Sequence, residues 1–197
     1  MKAVTNYESI KTHRFRVFDT PISDLKVIER QQLVDSRGFL SRLFCATELS
    51  AIGWHKPIAQ INQTFTRERG TVRGLHFQRP PQAEMKLITC LRGAVWDVAV
   101  DIRAGSPTFL QWHALELSET NCCAVLLPEG FAHGFQTLVK DCELLYVHST
   151  PHSPKAEAGL NALDSKLSIR WPLETSGLST RDLQHPMIDL QFKGLIF

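Results

Sequence analysis

The stretch KLITCLRGAVWDVAVDIR, residues 86–103, decides the fold of this chain. It predicts two β-strands that meet at Arg92 and Gly93, because a turn-forming pair interrupts two runs rich in β-branched residues. In the second run the even-numbered residues from Ala94 to Val100 are all apolar. Side chains alternate between the two faces of a strand, so this pattern predicts a strand with one dry face.

Shorter apolar runs follow at close intervals, and turn residues separate them. They are FLQWHALEL (109–117), CCAVLLP (122–128), GFQTL (134–138) and CELLYVHST (142–150). Many short strands with regular turns are typical of an antiparallel sandwich or small barrel. The best helical candidate is ATELSAIG (46–53), which ends at a glycine. The sequence therefore predicts an all-β fold with few short helices.

The ends of the chain differ from its middle. Residues 1–14 are polar and aperiodic, and the sequence from about residue 150 onward is rich in turn residues. A chain of 197 residues is of a size typical of one domain. We therefore expect an N-terminal arm over 1–14 and one domain over 15–197, with a loop-rich C-terminal segment wrapped around it.

The charge balance and the cysteines limit the environment and partners of the protein. There are 22 basic and 20 acidic residues, without a long block of one sign, which argues against a nucleic-acid partner. No window approaches the roughly 20 apolar residues that span a bilayer. The five cysteines form no C-x-x-C pair, which suits reduced thiols. We expect a soluble, cytoplasmic protein without a membrane partner.

The stretch TVRGLHFQRP (71–80) carries the first candidate for chemistry, His76. Histidine exchanges a proton near neutral pH, and Tyr146 in another strand could return one. Regular alternation would place Arg73 and His76 on opposite faces, so both can reach one cavity only if the strand bulges near Gly74. From these residues alone, a structural histidine that makes a hydrogen bond in the core is the favoured interpretation.

Other polar positions leave similar alternatives. QINQT (60–64) places Gln60, Asn62 and Thr64 on one face, which is either a wet exterior or a hydrogen-bonding interior.

No H-x-H or H-x-x-x-H pattern surrounds His76 or His133, and such close pairs are typical of metal ligands. We therefore expect no metal.

Seven segments in order resemble the dTDP-4-dehydrorhamnose 3,5-epimerase family, over about residues 15–187. They are VDSRGF, QINQT, VRGLHFQ, KLITCLRGAVWDVAVDIRAGSPTF, PEGFAHGF, the strand with Tyr146, and LSTRD (178–182). The resemblance implies a cupin-type β-jelly roll that forms a homodimer and uses no cofactor. It also implies inversion of C3, C5 or both in a nucleotide-diphospho-4-keto-6-deoxy sugar, during deoxysugar and polysaccharide biosynthesis.

The resemblance also implies a role for individual residues. His76 corresponds to the base, and Asp182 to the carboxylate that orients it. Tyr146 corresponds to the acid on the opposite face of the sugar, and Lys86 to the cation that meets the enolate charge. The residues implied to bind substrate are Arg37, Gln60, Asn62, Arg73, His133, Glu157 and Arg181.

Three positions depart from the family pattern. Arg42 stands where an acidic residue is usual, Val147 where a lysine is usual, and His152 where an aromatic residue is usual. These departures leave open a CDP- or GDP-linked substrate and inversion at only one carbon. A metal-dependent cupin enzyme and a non-catalytic nucleotide-sugar binding protein are the alternatives from other classes.

Overall fold

The structure is a computed structural model that describes residues 10–197. Within this range the chain forms fourteen strands and two short helices. The strands are β1 (Ile10–Lys11), β2 (Phe15–Asp19), β3 (Lys26–Arg30), β4 (Gln32–Asp35), β5 (Gly38–Ser41), β6 (Gln60–Thr66), β7 (Val72–Gln78), β8 (Lys86–Arg92), β9 (Ala94–Asp101), β10 (Trp112–Ser118), β11 (Cys123–Leu127), β12 (Phe131–Thr137), β13 (Cys142–His148) and β14 (Glu157–Gly159). The helices are α1 (Ala46–Ser50) and α2 (Thr180–Gln184).

The strands form two large antiparallel sheets and one hairpin. The larger sheet has the order β1-β2-β3-β11-β8-β13-β6, and the smaller sheet has the order β10-β9-β12-β7-β14. Strands β4 and β5 pair only with each other. The prediction of an all-β jelly roll or sandwich with few short helices is confirmed. Residues 1–9 of the predicted arm lie outside the described residues, and Ile10–Lys11 of that arm pairs with β2.

The stretch 86–103 forms the two predicted strands, one in each sheet, with the break at Gly93. The predicted strand 109–117 starts later, at Trp112, because Leu110 has a φ of +61°, which is incompatible with an extended strand.

The prediction that β9 has one dry face is wrong. Val95 and Ala99 lie in the core between the sheets, whereas Val98 and Val100 lie in a second core on the outer face of the smaller sheet. Residues of the C-terminal segment, among them Leu160, cover that outer face. Both faces of β9 are therefore buried, a long-range effect that alternation within one strand does not report.

The core between the sheets gives way to polar residues at one end. In β13, Cys142 and Leu144 belong to this core, and Tyr146 and His148 follow on the same face. In β8, Cys90 and Ile88 belong to the core, and Lys86 continues the same face. The alternation that builds the core therefore also directs polar side chains into the sandwich interior.

Strand β7 departs from regular alternation beside Gly74, as the sequence predicts. His76 pairs with His133 and Arg73 pairs with Phe135, so the register shifts by one residue between the two pairs. Gly74 has a φ of +117°, and a Cβ there would lie 2.7 Å from the carbonyl oxygen of His133. The missing side chain thus permits the irregularity that lets Arg73 and His76 line the same cavity.

Candidate functional site

A cavity of 710 Å³ opens between the two sheets where the interior becomes polar. Its volume is in the range of small-molecule sites. The lining residues are Gln60, Asn62, Thr64, Arg73, His76, Phe77, Gln78, Glu84, Lys86, His133, Phe135, Tyr146, His148, His152, Glu157, Gly177, Ser179, Arg181 and Asp182. The structure thus brings together every candidate residue from the sequence except Arg37.

The smaller sheet contributes a histidine–carboxylate pair. His76 on β7 lies with Nε2 2.6 Å from Oδ1 of Asp182 on α2. The Ser179 side chain caps α2 by accepting a hydrogen bond from the Asp182 backbone at 3.1 Å, which fixes the start of the helix. With Asp182 ionised, Nε2 carries the proton, and Nδ1 is the nitrogen left to accept one.

Burial and pairing set the protonation of this pair. Burial lowers the pKa of His76 below its usual 6.5, and the hydrogen bond to Asp182 offsets only part of this effect. Burial alone would raise the pKa of Asp182, but the hydrogen bond and charge of His76, together with hydrogen bonds from Ser179 and the Gly74 backbone, outweigh it and leave that pKa below its usual 3.8. At neutral pH the arrangement is therefore a neutral imidazole beside a carboxylate, which is the state required of a base.

The larger sheet contributes Tyr146, which faces the cavity from the opposite wall. Its ring lies edge-on to that of His133, with centroids 6.0 Å apart. Burial raises the pKa of Tyr146, so the phenol keeps its proton at neutral pH. A proton acceptor and a proton donor therefore lie on opposite walls.

Lys86 is the cation of the larger sheet, and only 7% of it is exposed. Its Nζ lies 3.0 Å from Oε1 of Glu84, whose other oxygen accepts a hydrogen bond from Nδ1 of His148 at 2.8 Å. An ammonium group held at a buried position is suited to stabilising a developing oxyanion.

Strand β6 lines the cavity with Gln60, Asn62 and Thr64. Gln60 donates to Oδ1 of Asn62 at 3.0 Å and accepts from the His152 backbone at 3.0 Å. The polar face of QINQT therefore lines the cavity, where Gln60 and Asn62 bond to each other and Asn62 is still exposed.

Arginines lie along the rim of the cavity. Arg73 donates from Nε to the Thr66 hydroxyl at 3.0 Å. Arg181 lies 2.9 Å from Glu157, which also lies 3.4 Å from Nε2 of His152. The forked guanidinium groups are suited to binding phosphate oxygens, and Glu157 holds one of them in place.

A second histidine–carboxylate pair supports the smaller sheet. His133 lies with Nε2 2.8 Å from Oδ2 of Asp97, and Asp97 is fully buried. The other oxygen of Asp97 has no hydrogen-bond partner among the described residues. The pair fixes the orientation of the His133 ring beside Tyr146.

Arg37 does not line the cavity of its own chain. It lies at the turn of the β4–β5 hairpin, where its side chain is 87% exposed and pairs with Asp35 at 2.7 Å.

Two of the three departures from the family pattern also lie outside the cavity. Arg42 pairs with Glu48, and Val147 is buried in the outer core of the larger sheet. Only His152 lines the cavity.

His185 was not singled out from the sequence. Its ring lies edge-on to that of His76 at 5.5 Å, and its Nε2 lies 3.8 Å from Oδ1 of Asp182. A Cβ on Gly159 would lie 2.3 Å from Nε2 of His185, so the glycine makes room for this ring. One nitrogen or oxygen atom from each of His76, Asp182 and His185 lies within 4.8 Å of the other two. These three residues are the ones that would hold a metal ion.

Sequence reasoning also missed Glu84 and His148. His148 lies two residues after Tyr146 on the same face of β13, and Glu84 lies two residues before Lys86, just ahead of β8. The signal that could have found them is this two-residue period, continued past the last apolar residue.

The chain is similar to a family of known enzymes. A family model described as dTDP-4-dehydrorhamnose 3,5-epimerase matches residues 19–189. The dTDP-4-dehydrorhamnose 3,5-epimerase of Sinorhizobium fredii is 39% identical over 168 residues, covering 85% of this chain and 86% of the relative. The dTDP-4-dehydrorhamnose 3-epimerase of Streptomyces niveus is 41% identical over 156 residues, covering 79% of this chain and 75% of the relative.

A solved structure is similar over nearly the whole chain. It is the dTDP-6-deoxy-D-glucose-3,5-epimerase of Legionella pneumophila in complex with dTDP-4-keto-L-rhamnose. The two share a TM-score of 0.86 and 36% identity, and the match covers 92% of this chain and 98% of the other. Among the described residues, no helix has the length and apolar character needed to cross a membrane.

Proposed function

Because the chain belongs to the dTDP-4-dehydrorhamnose 3,5-epimerase family, we propose that the cavity carries out epimerisation with His76 as its base and Tyr146 as its acid. The substrate is a nucleotide-diphospho-4-keto-6-deoxy sugar, and the enzyme is an isomerase. One observation carries the assignment of the two residues: the His76–Asp182 pair and Tyr146 face each other from the two sheets across one cavity.

Epimerisation begins with the removal of a proton next to the 4-keto group. The carbonyl acidifies the hydrogens on C3 and C5, and Nδ1 of His76 takes one of them. Asp182 holds the ring by its Nε2–H at 2.6 Å and stabilises the imidazolium that forms. Asp182 is therefore a positioning residue that acts through His76.

The electrons left by the proton move toward the 4-oxygen and form an enolate. Lys86 stabilises this negative charge, because a fixed ammonium in a water-poor site needs no reorganisation. Tyr146 then gives a proton to the same carbon from the opposite face, and the configuration inverts. The Tyr146 oxygen recovers a proton from solvent, and the imidazolium of His76 releases its proton to solvent.

The nucleotide diphosphate is proposed to bind along the rim. Arg73 and Arg181 offer donors to the phosphate oxygens, and Gln60 and Asn62 offer amide groups from the opposite wall. His133 and Glu157 complete the proposed substrate contacts. We propose dTDP as the nucleotide, in keeping with the names of the relatives.

Hydrogen exchange tests this function directly. The enzyme is incubated in D₂O with dTDP-, CDP- or GDP-linked 4-keto-6-deoxyglucose, and deuterium at C3 and C5 is measured by mass spectrometry and NMR. We expect deuterium with the dTDP sugar, and its position identifies the inverted carbons. A 3-epimerase among the relatives makes inversion at C3 alone a second candidate. No exchange with any of the three sugars would contradict the proposal.

The pH dependence of kcat/KM is expected to follow His76. Because burial lowers its pKa, the base stays neutral and active to below pH 6.5, and activity falls only as the pH drops through that lowered pKa. The charged and titratable groups near His76 are Asp182, Arg181, Lys86 and His185.

The variant Asp182→Asn removes the interaction that raises the pKa of His76, so its acid limb is expected at still lower pH. Loss of the orienting carboxylate is also expected to lower kcat/KM by about 10²-fold. The pH profiles of both proteins check this. An acid limb that moves to higher pH in Asp182→Asn would contradict the role of Asp182.

We also propose a homodimer in which the β4–β5 hairpin contacts the partner. Val34, Phe39 and Leu40 of the hairpin are 74%, 65% and 69% exposed, and Ile61 on the edge strand β6 is 56% exposed. Exposed apolar side chains and an unpaired sheet edge favour association. A dimer offers Arg37 a route to a substrate-binding role, because it does not line the cavity described above in its own chain.

Light scattering of the wild type and of Phe39→Asp tests the dimer. We expect a dimer for the wild type, a monomer for the variant, and a raised KM for Arg37→Ala. A fully active monomer would contradict the proposal.

We place the enzyme in the cytoplasm, because its five free cysteines suit a reducing compartment. Its proposed role is in deoxysugar synthesis for polysaccharides such as lipopolysaccharide.

A further inference from the structure

Glu84 is a carboxylate in a cavity for an anionic substrate. Its side chain is 8% exposed, and both of its oxygens are used. Oε1 lies 3.0 Å from Nζ of Lys86, and Oε2 accepts from Nδ1 of His148 at 2.8 Å. Taking a carboxylate out of water is costly, so its buried position beside the lysine of the site calls for a role.

Glu84 is ionised in this setting. Burial alone would raise its pKa, but the hydrogen bond from His148 and the charge of Lys86 outweigh burial and hold the pKa below 4.5. The other ring nitrogen of His148, Nε2, lies 3.4 Å from Nδ2 of Asn62. The side chains of Lys86, Glu84, His148 and Asn62 thus form a continuous chain, which ends on the strand proposed to bind the nucleotide.

The backbone around Glu84 is held on both sides. Ser149 accepts from the Met85 backbone through its hydroxyl at 2.8 Å, and its own N–H donates to the Met85 carbonyl at 3.1 Å. The Thr150 hydroxyl donates to the Ala83 carbonyl at 2.9 Å. These bonds tie the segment that precedes β8 to the end of β13, so the Glu84 carboxylate has a fixed position.

Lys86 and His148 are direct cross-strand partners in the register of β8 and β13. The lysine side chain is long and flexible, whereas the carboxylate beside it is fixed. One N–H of the ammonium faces Glu84, and the others remain for a ligand in the cavity. His148 in turn is stacked on Tyr146, with ring centroids 6.0 Å apart and an interplanar angle of 16°.

We propose that Glu84 is a positioning residue for Lys86, and that His148 holds Glu84 in the orientation that directs the lysine ammonium toward the 4-oxygen of the substrate. This inference rests on the proposed function, in which Lys86 stabilises the enolate. It assigns to His148 a part in the reaction without contact with the reacting carbons.

The first test separates kcat from KM for Glu84→Gln, with the dTDP-linked 4-keto sugar in D₂O. A misplaced ammonium weakens stabilisation of the enolate more than binding of the ground state, so kcat for exchange is expected to fall about 10-fold to 10²-fold. We expect KM and the Kd for dTDP to stay within about twofold, since Glu84 is not proposed to contact the nucleotide. A change in KM alone would overturn the proposal.

A double-mutant cycle with Lys86→Met decides whether Glu84 acts through the lysine. We expect Glu84→Gln to cause no further loss of kcat when Lys86 is already methionine. Equal and independent losses in the two backgrounds would mean that Glu84 serves the structure alone, and would overturn the proposal.

Two variants of His148 provide a matched pair if Glu84→Gln does not fold. His148→Gln retains a donor for Glu84 and is expected to keep most of the activity, whereas His148→Leu cannot donate and is expected to resemble Glu84→Gln. Equal kcat values for the two variants would count against the proposal. Thermal melting of each variant identifies any loss of folding.

The wild type and Lys86→Met separate this inference from the proposed function. If the wild type exchanges no hydrogen, the proposed function fails. If the wild type exchanges and Lys86→Met is slow while Glu84→Gln remains as fast as the wild type, only the positioning role fails.

Discussion

Replacement of His76 by alanine is expected to lower hydrogen exchange at C3 and C5 by about 10²-fold to 10⁴-fold. The variant loses the group that removes the proton, and the carboxylate of Asp182 remains behind a space that water fills. Exchange into the dTDP-linked 4-keto sugar in D₂O measures the effect. Binding of dTDP is expected to change little, because His76 is proposed to face the sugar rather than the diphosphate.

His55→Ala is the matched control for this variant. His55 is exposed, and its Nδ1 lies 2.7 Å from the carbonyl oxygen of Gly53, outside the cavity. We expect this control to exchange hydrogen at the rate of the wild type. If His76→Ala also kept the rate of the wild type, the base would have to be another group, and the assignment of His76 would be wrong.

Replacement of Lys86 by methionine is expected to lower kcat by about 10²-fold to 10³-fold. Methionine has a similar length but no charge, so the enolate loses its fixed cation and the carboxylate of Glu84 loses one partner. Both changes disfavour negative charge on the 4-oxygen, and the exchange rate measures their sum. The loss is therefore expected to exceed that of Glu84→Gln.

Lys56→Met serves as the control, because Lys56 pairs with Glu129 and does not line the cavity. An exchange rate in Lys86→Met close to that of Lys56→Met would show that the lysine does not stabilise the enolate. Melting temperatures accompany both measurements, since a buried carboxylate that loses its partner also lowers the free energy of unfolding.

Local signals in the sequence predicted several features well. The arginine–glycine break in residues 86–103 predicted the boundary between β8 and β9, because a strand break depends on nearby residues. The conflict between alternation and a shared cavity for Arg73 and His76 predicted the irregularity at Gly74. The first inference needs only neighbouring residues, whereas the second also needs the shared cavity that the family resemblance implies.

Features that depend on distant residues were beyond such signals. Asp182 is 106 positions from His76, and only the family resemblance connected the two. The burial of both faces of β9 depends on the C-terminal segment, which looks irregular in sequence but covers the smaller sheet. The link from Glu84 to His148 spans 64 positions and depends on the pairing of β8 with β13.

The late position of Asp182 bears on how the enzyme is made. A ribosome builds the chain from its N-terminus, so His76 and Tyr146 are synthesised well before α2 exists. A nascent or prematurely terminated chain that ends before α2 lacks both the carboxylate that orients His76 and part of the layer covering its sheet. If Asp182 has the proposed role, a chain that ends before α2 is expected to fold without a competent site.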